Sequence, residues 1–354
     1  MLYQTENQHG GDVYGGGITL DFSANTNPLG TPPGVLEAVC RALPRLHRYP
    51  DPYCRRLVQA IAGHEQVPAS YILCGNGAAD LIYTYCAALR PRTAVELAPT
   101  FVEYGAGLAQ VSCRVERYFL HQAQNFDLDE RFLSFLEEKK PEVVFLCNPN
   151  NPTGRLIPLP LLEQILQYCA AQGARLFLDE CFLDLTEDGV SAKSLLAAHP
   201  ELLILKAFTK SYGMAGIRLG YCLCADNALL RRMAAASPPW NVSTPAQSAG
   251  VAALAERDFL QRTLSLVRTE RRWLTDNLTA LGFWVCPSHA NYLLFRGPLG
   301  LREGLLQQGI AIRGCGNYNG LGDGWYRIAV RPHGENEALI TAIRQFCKEK
   351  SLWQ

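Results

Sequence analysis

The sequence predicts an α/β protein, with a large domain on a mostly parallel sheet and a second, smaller α+β domain. Three observations carry this. Apolar runs of strand length alternate with helical stretches between residues 72 and 224, the pattern of strand–helix–strand units whose strands are covered on both faces. The conspicuous polar residues stand where those runs end, at the carboxyl ends of strands, where open parallel sheets bind ligands. Past "SPPWNVSTP" (237–245) the alternation stops, and helix gives way to strand signals and a closing helix. The expected divisions are an N-terminal arm with part of the small domain (1–45), a large domain (46–245) and a small C-terminal domain (246–354).

The opening segment is Gly-rich and polar, and it ends in the turn-heavy "SANTNPLGTPPG". A helix is expected over 33–43, and "RYPDPY" (48–53) is a turn. "YILCGNGAAD" (71–80) is a short strand, a Gly-Asn-Gly turn and the start of a helix running to Leu89. "TAVEL" (93–97) and 143–147 are strands, the second followed by "NPNNPTG". Helical periodicity covers 160–172 and stops at Gly173. Further strands are expected at 175–180, 202–208 and 217–224. One long helix is predicted over 246–281. Strands follow at "NYLLF", "IAIRG" and "YRIAV", then a final helix over 335–350.

The chain has 354 residues, 48% hydrophobic and 19% charged, enough apolar material for a substantial core. Thirty-three basic residues balance 33 acidic ones. That balance gives no electrostatic footprint for nucleic acid or an anionic membrane, so any anion site must be local. The 13 cysteines are scattered without zinc-type pairing. They read as reduced thiols of a cytoplasmic protein, with no metal site expected. The N-terminal residues lack a basic region followed by an apolar run, so no signal peptide is expected. No apolar segment reaches the length of a membrane span.

Several residues carry chemistry. Lys210 lies just past an apolar run in "FTKSYGMAGIRLGY", with Arg218 eight residues on. A lysine so close to buried strands is costly unless paired or chemically used. Gly75-Asn76-Gly77-Ala78-Ala79 is either a plain turn or a helix start whose N–H groups meet an anion. Arg218 is either a surface ion pair or a bidentate phosphate ligand, with the Thr209 hydroxyl beside it. Asp179 ends an apolar strand and needs a cationic partner, either an arginine or a protonated ring nitrogen. Asn151 is either a turn former or a donor to a phenolate oxygen. Taken together, a lysine amine, a carboxylate for a ring nitrogen and a phosphate cradle describe pyridoxal 5'-phosphate.

"NPNNPTG", "LDECF", "TKSYGMAGIRLGY" and "YRIAVR", in this order, resemble the fold type I pyridoxal-phosphate enzymes of the class I/II aminotransferase family. The resemblance spans essentially the whole chain and implies an aspartate-aminotransferase-like fold. Two branches compete. "HGGDVYG", "DFSANTNPLG", "RYPDPY", "VPASYILCGNG", "FVEYG" and "NYNGL" are similar to threonine-phosphate decarboxylases of cobalamin biosynthesis, and the other branch is the histidinol-phosphate aminotransferases. Phe182 stands where the latter usually have a tyrosine, as in the decarboxylase pattern. The resemblance implies that Lys210 attaches the cofactor covalently and that Asp179 keeps its ring nitrogen protonated. Asn151 contacts the phenolic oxygen, and Gly77, Ala78, Ala79, Thr209 and Arg218 hold the phosphate. Phe101 stacks on the ring, with Tyr104 as the alternative. Ala207 replaces a Ser or Thr that relatives often use as a further phosphate contact. Tyr49 reaches the cofactor of a neighbouring subunit, which implies a homodimer with shared sites. Arg327 clamps the substrate carboxylate, and Asn25 lies in a loop approaching it. Arg313, then Arg331 and His9, are the candidates for a substrate phosphate. The "HGG" arm is expected to close over the substrate.

Overall fold

Strand and helix alternate from Ile72 onward as the periodicity predicts, and the computed structural model shows how the strand ends meet. It describes residues 9–350; the first eight residues of the expected arm lie outside the described residues. A short strand β1 (Leu20–Asp21) comes first. Seven strands follow: β2 (Ile72–Gly75), β3 (Thr93–Ala98), β4 (Arg114–Phe119), β5 (Val143–Cys147), β6 (Arg175–Asp179), β7 (Leu202–Ala207) and β8 (Gly220–Cys224). They form one sheet in the order β2-β8-β7-β6-β5-β3-β4. Every residue of β5, β7 and β8 is buried, which is why these strands read as unbroken runs rather than alternating ones.

Pairing is parallel from β7 through β6, β5 and β3 to β4, while β8 runs against both of its neighbours. Gly220, the first residue of β8, is therefore opposite Gly75 at the end of β2 and Ala207 at the end of β7. The carboxyl ends of β2, β3, β5, β6 and β7 and the start of β8 share one edge. The segments that leave the sheet there are the ones the sequence marked.

The second unit is a four-stranded antiparallel sheet. Its strands are β9 (Trp284–Val285), β10 (Tyr292–Arg296), β12 (Arg313–Gly314) and β13 (Trp325–Ala329), in the order β12-β13-β10-β9, while β11 (Ile310–Ala311) pairs in parallel with β1. Helices Phe259–Ala280 and His333–Glu349 supply Leu274, Leu278 and Ile343 to a core shared with Phe22, Phe295 and Ile328.

The single helix expected over 246–281 is two helices, Thr244–Ala253 and Phe259–Ala280. Ala246, Ala249 and Ala253 pack into the core of the large sheet, whereas Leu274 and Leu278 belong to the small core. One straight rod cannot face both, so packing overrides the good helix propensity of the linking residues. Arg218, expected inside a strand, lies before β8 with a left-handed φ of 58°.

Candidate active site

A cavity of about 350 Å³ opens where the shared edge meets the small unit. The large sheet contributes Ala78, Ala79, Phe101, Asn151, Asp179, Thr209, Lys210 and Arg218 to its walls, and the small unit and N-terminal segment contribute Asn25, Arg313, Arg327 and His9.

Lys210 sits in a one-turn helix, Phe208–Ser211, directly after β7. Among the described residues its amine has no hydrogen-bond or ion-pair partner, and its nitrogen is 5.5 Å from the centre of the Phe182 ring. Burial, and then the charges of Arg327 and Arg218, lower its pKa to about 8. Lys206, four residues earlier on β7, is the opposite case. It is buried but paired with Asp184 at 2.8 Å and Glu65 at 3.2 Å, and these carboxylates hold it firmly protonated against the cost of burial. Only Lys210 is left as a reactive amine of the pair.

Asp179 ends β6 and is buried. One oxygen accepts the backbone N–H of Cys181 at 2.9 Å and the other accepts the hydroxyl of Tyr104 at 2.6 Å. Burial raises its pKa, and hydrogen bonds from the Cys181 thiol, the Tyr104 hydroxyl and the Cys181 N–H, with the Lys210 charge, act against that. A carboxylate offers about four lone-pair sites, so a further donor can still be accepted from the cavity side. Phe101 lines the cavity, whereas Tyr104 is fully buried beneath it, with ring centroids 5.6 Å apart. Of the two candidates for a ring-facing aromatic, only Phe101 is in place.

The opposite end is built for an anion. Gly77 precedes the helix Ala78–Leu89 with φ +88°, and a Cβ there would stand 2.8 Å from the guanidinium of Arg218. A Cβ on Gly220 would stand 2.8 Å from the Ala78 nitrogen. Both glycines are needed for this approach of Arg218 and β8 to the helix start. Thr209 is buried at the same wall, and Ala207 presents no hydroxyl there.

Arg327 on β13 is buried with neutral partners only. It donates to the side-chain oxygen of Asn151 and to the carbonyl of Ser23 at 2.9 Å, its Nε has no partner, and no carboxylate pairs with it among the described residues. Both side-chain polar atoms of Asn25 are likewise buried without partners at the cavity wall. Arg313 is directly opposite Arg327 in the β12–β13 pairing, and it donates to Asn317 at 2.6 Å. His9 is bonded to Glu103 at 2.7 Å, and Glu103 also accepts from Tyr83 at 2.6 Å, which fastens the arm at the cavity rim.

One residue expected at the cavity is elsewhere, and Tyr49, expected at a neighbouring subunit's cofactor, lies outside it. Arg331 does not line the cavity, because β13 ends at Ala329 and the arginine turns to pair with Glu335 at 2.9 Å. Tyr49 is 78% exposed and stacks on Trp240 at 4.5 Å, outside the cavity of its own chain. The hydrogen bond from Tyr104 to Asp179 and the Glu103 latch were not expected. Phe101 precedes the helix Glu103–Ala109 and Tyr104 lies inside it, so their spacing along the chain carried no signal of the first.

The set of groups fits pyridoxal phosphate: an amine of lowered basicity, a buried carboxylate with an acceptor site to spare, and a glycine-lined anion cradle. Fold and cavity together define a pyridoxal-phosphate enzyme of aspartate-aminotransferase-like architecture. The chain belongs to the aminotransferase class I and II family, whose model matches residues 18–346. It is 40% identical to the threonine-phosphate decarboxylase of Salmonella typhimurium, over 92% of this chain and 90% of that one. It is 30% identical to the histidinol-phosphate aminotransferase of Methanosarcina mazei, over 92% and 87%. Among solved structures it superposes on the histidinol-phosphate aminotransferase of Clostridium acetobutylicum with a TM-score of 0.87, at 28% identity and covering 93% and 99% of the two chains. It also superposes on the L-threonine-O-3-phosphate decarboxylase of Porphyromonas gingivalis with a TM-score of 0.83, at 25% identity and the same coverage. No helix among the described residues is long and apolar enough to cross a membrane.

Proposed function

We propose that the chain decarboxylates O-phospho-L-threonine, or a close analogue such as O-phospho-L-serine, to the amino-alcohol phosphate used in the nucleotide loop of cobalamin. One observation carries this reading. Two arginines, 313 and 327, are cross-strand neighbours at one cavity, which suits a small substrate with a carboxylate and a phosphate a few bonds apart. The 40% identity to a threonine-phosphate decarboxylase supports the same choice.

Bound pyridoxal phosphate supplies an electron sink for the pair released when a bond at the substrate α-carbon breaks. The protein's part is positional. Arg327 holds the substrate carboxylate, with the unpartnered amide of Asn25 beside it, and Arg313 and His9 hold the phosphate. Arg218, Thr209 and the N–H groups at Ala78 and Ala79 neutralise the cofactor phosphate, and Asn151 reaches its phenolic oxygen. Asp179 keeps the ring nitrogen protonated. Lys210, its pKa lowered to about 8 by burial and the neighbouring guanidiniums, would be the point of attachment for the cofactor, and its Nζ can hold a proton and return it to the substrate α-carbon. The orientation in which Arg327 and Arg313 hold the substrate would decide which bond at its α-carbon breaks. Phe182 offers Lys210 an aromatic face and no hydroxyl donor. The arm pinned through His9 and Glu103 serves as a lid.

Function as a homodimer follows from the same reading. Leu43, Leu46, Tyr49, Tyr53 and Trp240 are exposed large apolar side chains close together in sequence or space, and Tyr49 on that surface would reach the partner's cofactor phosphate. The 13 cysteines, all thiols, accord with a cytoplasmic setting.

The deciding experiment supplies O-phospho-L-threonine in one reaction and histidinol phosphate with 2-oxoglutarate in another. Release of CO2 from the first without consumption of an oxo acid supports decarboxylation. Glutamate formation in the second, with no CO2 from the first, establishes the histidinol-phosphate-type aminotransferase instead.

A further inference from the structure

We propose that Tyr104 is a positioning residue: through its hydrogen bond to Asp179 it fixes which carboxylate lone pairs face the cavity, and it keeps the shared proton on the ring nitrogen of the bound cofactor. The inference rests on the assignment of Asp179 to that nitrogen.

The geometry is specific. Tyr104 follows the first residue of the helix Glu103–Ala109, and its ring is fully buried. Phe145 of β5 stacks on it at 5.5 Å and Phe177 of β6 lies at 6.3 Å, while Phe101 covers it from the cavity side at 5.6 Å. Three aromatic contacts leave the phenol one direction, and its hydroxyl donates to Asp179 at 2.6 Å. The Cys181 N–H donates to the other oxygen and the Cys181 thiol also bonds the carboxylate, so Tyr104 holds one oxygen of the group while Cys181 holds it from the other side.

The proton balance follows from the surroundings. The titratable groups facing Asp179 are Tyr104, Cys147 of β5, Cys181 after β6, Lys210 after β7 and Tyr292 of β10. Burial keeps both thiols and both phenols protonated. Tyr104 is therefore a donor at every working pH and never a second anion. A buried carboxylate facing a ring nitrogen can hold the pair as carboxylate and protonated ring, or as carboxylic acid and neutral ring. The hydrogen bonds that the carboxylate receives from Tyr104 and Cys181 make it the weaker base, which favours the first state. Without the Tyr104 hydroxyl the proton moves toward Asp179, and the ring loses the charge that makes it an electron sink.

The test is a titration of the cofactor-free protein with pyridoxal phosphate from acid to neutral pH, read by the visible absorbance of the bound cofactor. In Tyr104→Phe the acid limb of binding moves up by about one pH unit. With the proposed substrate, kcat falls about tenfold with little change in KM. Difluorotyrosine at position 104 keeps the shape, strengthens the donor and moves the limb down, so the test survives if the Phe variant folds poorly. In an Asp179→Asn background neither change has a further effect on the limb, as coupling through Asp179 requires. A limb that stays put in both Tyr104 variants, or that shifts equally in the Asp179→Asn background, overturns the inference. If Asp179→Asn alone binds cofactor with an unaltered profile, the assignment of Asp179 fails and takes the inference with it.

Discussion

Lys210 should cost the cofactor-free protein stability, and removing it should be rewarded. Replacing it by methionine keeps the length of the stem and removes the charge. A lysine ordinarily titrates near 10.5, and here burial with two nearby guanidiniums takes it to about 8. That difference amounts to about 3 kcal/mol of lost preference for the proton. Water reaching the amine through the cavity mouth reduces this to about 2 kcal/mol. The sign is fixed by linkage. Between pH 8 and 10.5 the unfolded chain binds more protons than the folded one, so folded-state stability rises with pH across that window. The penalty is full below about pH 8 and gone above 10.5. Lys210→Met should therefore stabilise the cofactor-free protein by about 2 kcal/mol at pH 7 and by less than half of that at pH 9.5. Urea unfolding at fixed protein concentration, at both pH values, measures the difference. A variant that is no more stable than the parent at pH 7, or whose gain does not shrink with pH, would refute the account of Lys210 as a strained, unpaired amine.

Lys206→Met should do the reverse and destabilise by about 3–5 kcal/mol, because Glu65 and Asp184 lose their buried partner; the same unfolding assay checks it. Glu65 is held at about pKa 2 despite burial by Lys206, Tyr221 and Lys193, so the stability it supplies is complete above about pH 4.5 and lost as pH falls toward 2, which acid unfolding with Glu65→Gln as control will show. Gly77→Ala forces a side chain into a left-handed conformation against Arg218, and cofactor affinity should fall at least about tenfold in an absorbance titration. Arg327→Ala should raise the KM for the phosphorylated amino acid about a hundredfold or more through loss of a charge-paired carboxylate. If sites are shared between subunits, mixing Lys210→Ala with a crippled Tyr49→Ala chain should restore about a quarter of native activity, since half the dimers then carry one intact site; no recovery after verified subunit exchange would count against a shared site.

Much of the cavity was legible because its residues end strands. Asp179, Asn151 and Lys210 each follow an apolar run, and that pattern survives without knowledge of neighbours. Strand direction was not legible: nothing local in 220–224 says that β8 runs against β7, yet this brings Arg218 back to the edge that holds Lys210. Arg327 and Arg331 look equivalent in "YRIAVR", four apart as if on one strand face. The strand stops at Ala329, so only the first points into the cavity. Tyr104 looked like a second ring-facing aromatic; a helix starting at Glu103 turns it under the cavity floor instead. His9 and Glu103 are 94 residues apart, and no periodicity reports such a pairing. The split of the 246–281 helix had no Gly or Pro to announce it, because it arises from two cores competing for one segment.

The reversal of β8 has a consequence for how a ligand is caught. Without a crossover helix, Lys210 and Arg218 are the two prongs of a single hairpin bend. A molecule carrying both an anion and a carbonyl meets them as a bivalent host. On the roles proposed for the two residues, an anion taken by Arg218 would confine the carbonyl beside the amine at an effective concentration far above that in solution. A carbonyl compound without the anion has to find the amine unaided. Selectivity for the phosphorylated cofactor over its dephosphorylated form would then be a property of the hairpin's span, written into the seven residues that separate the lysine from the arginine.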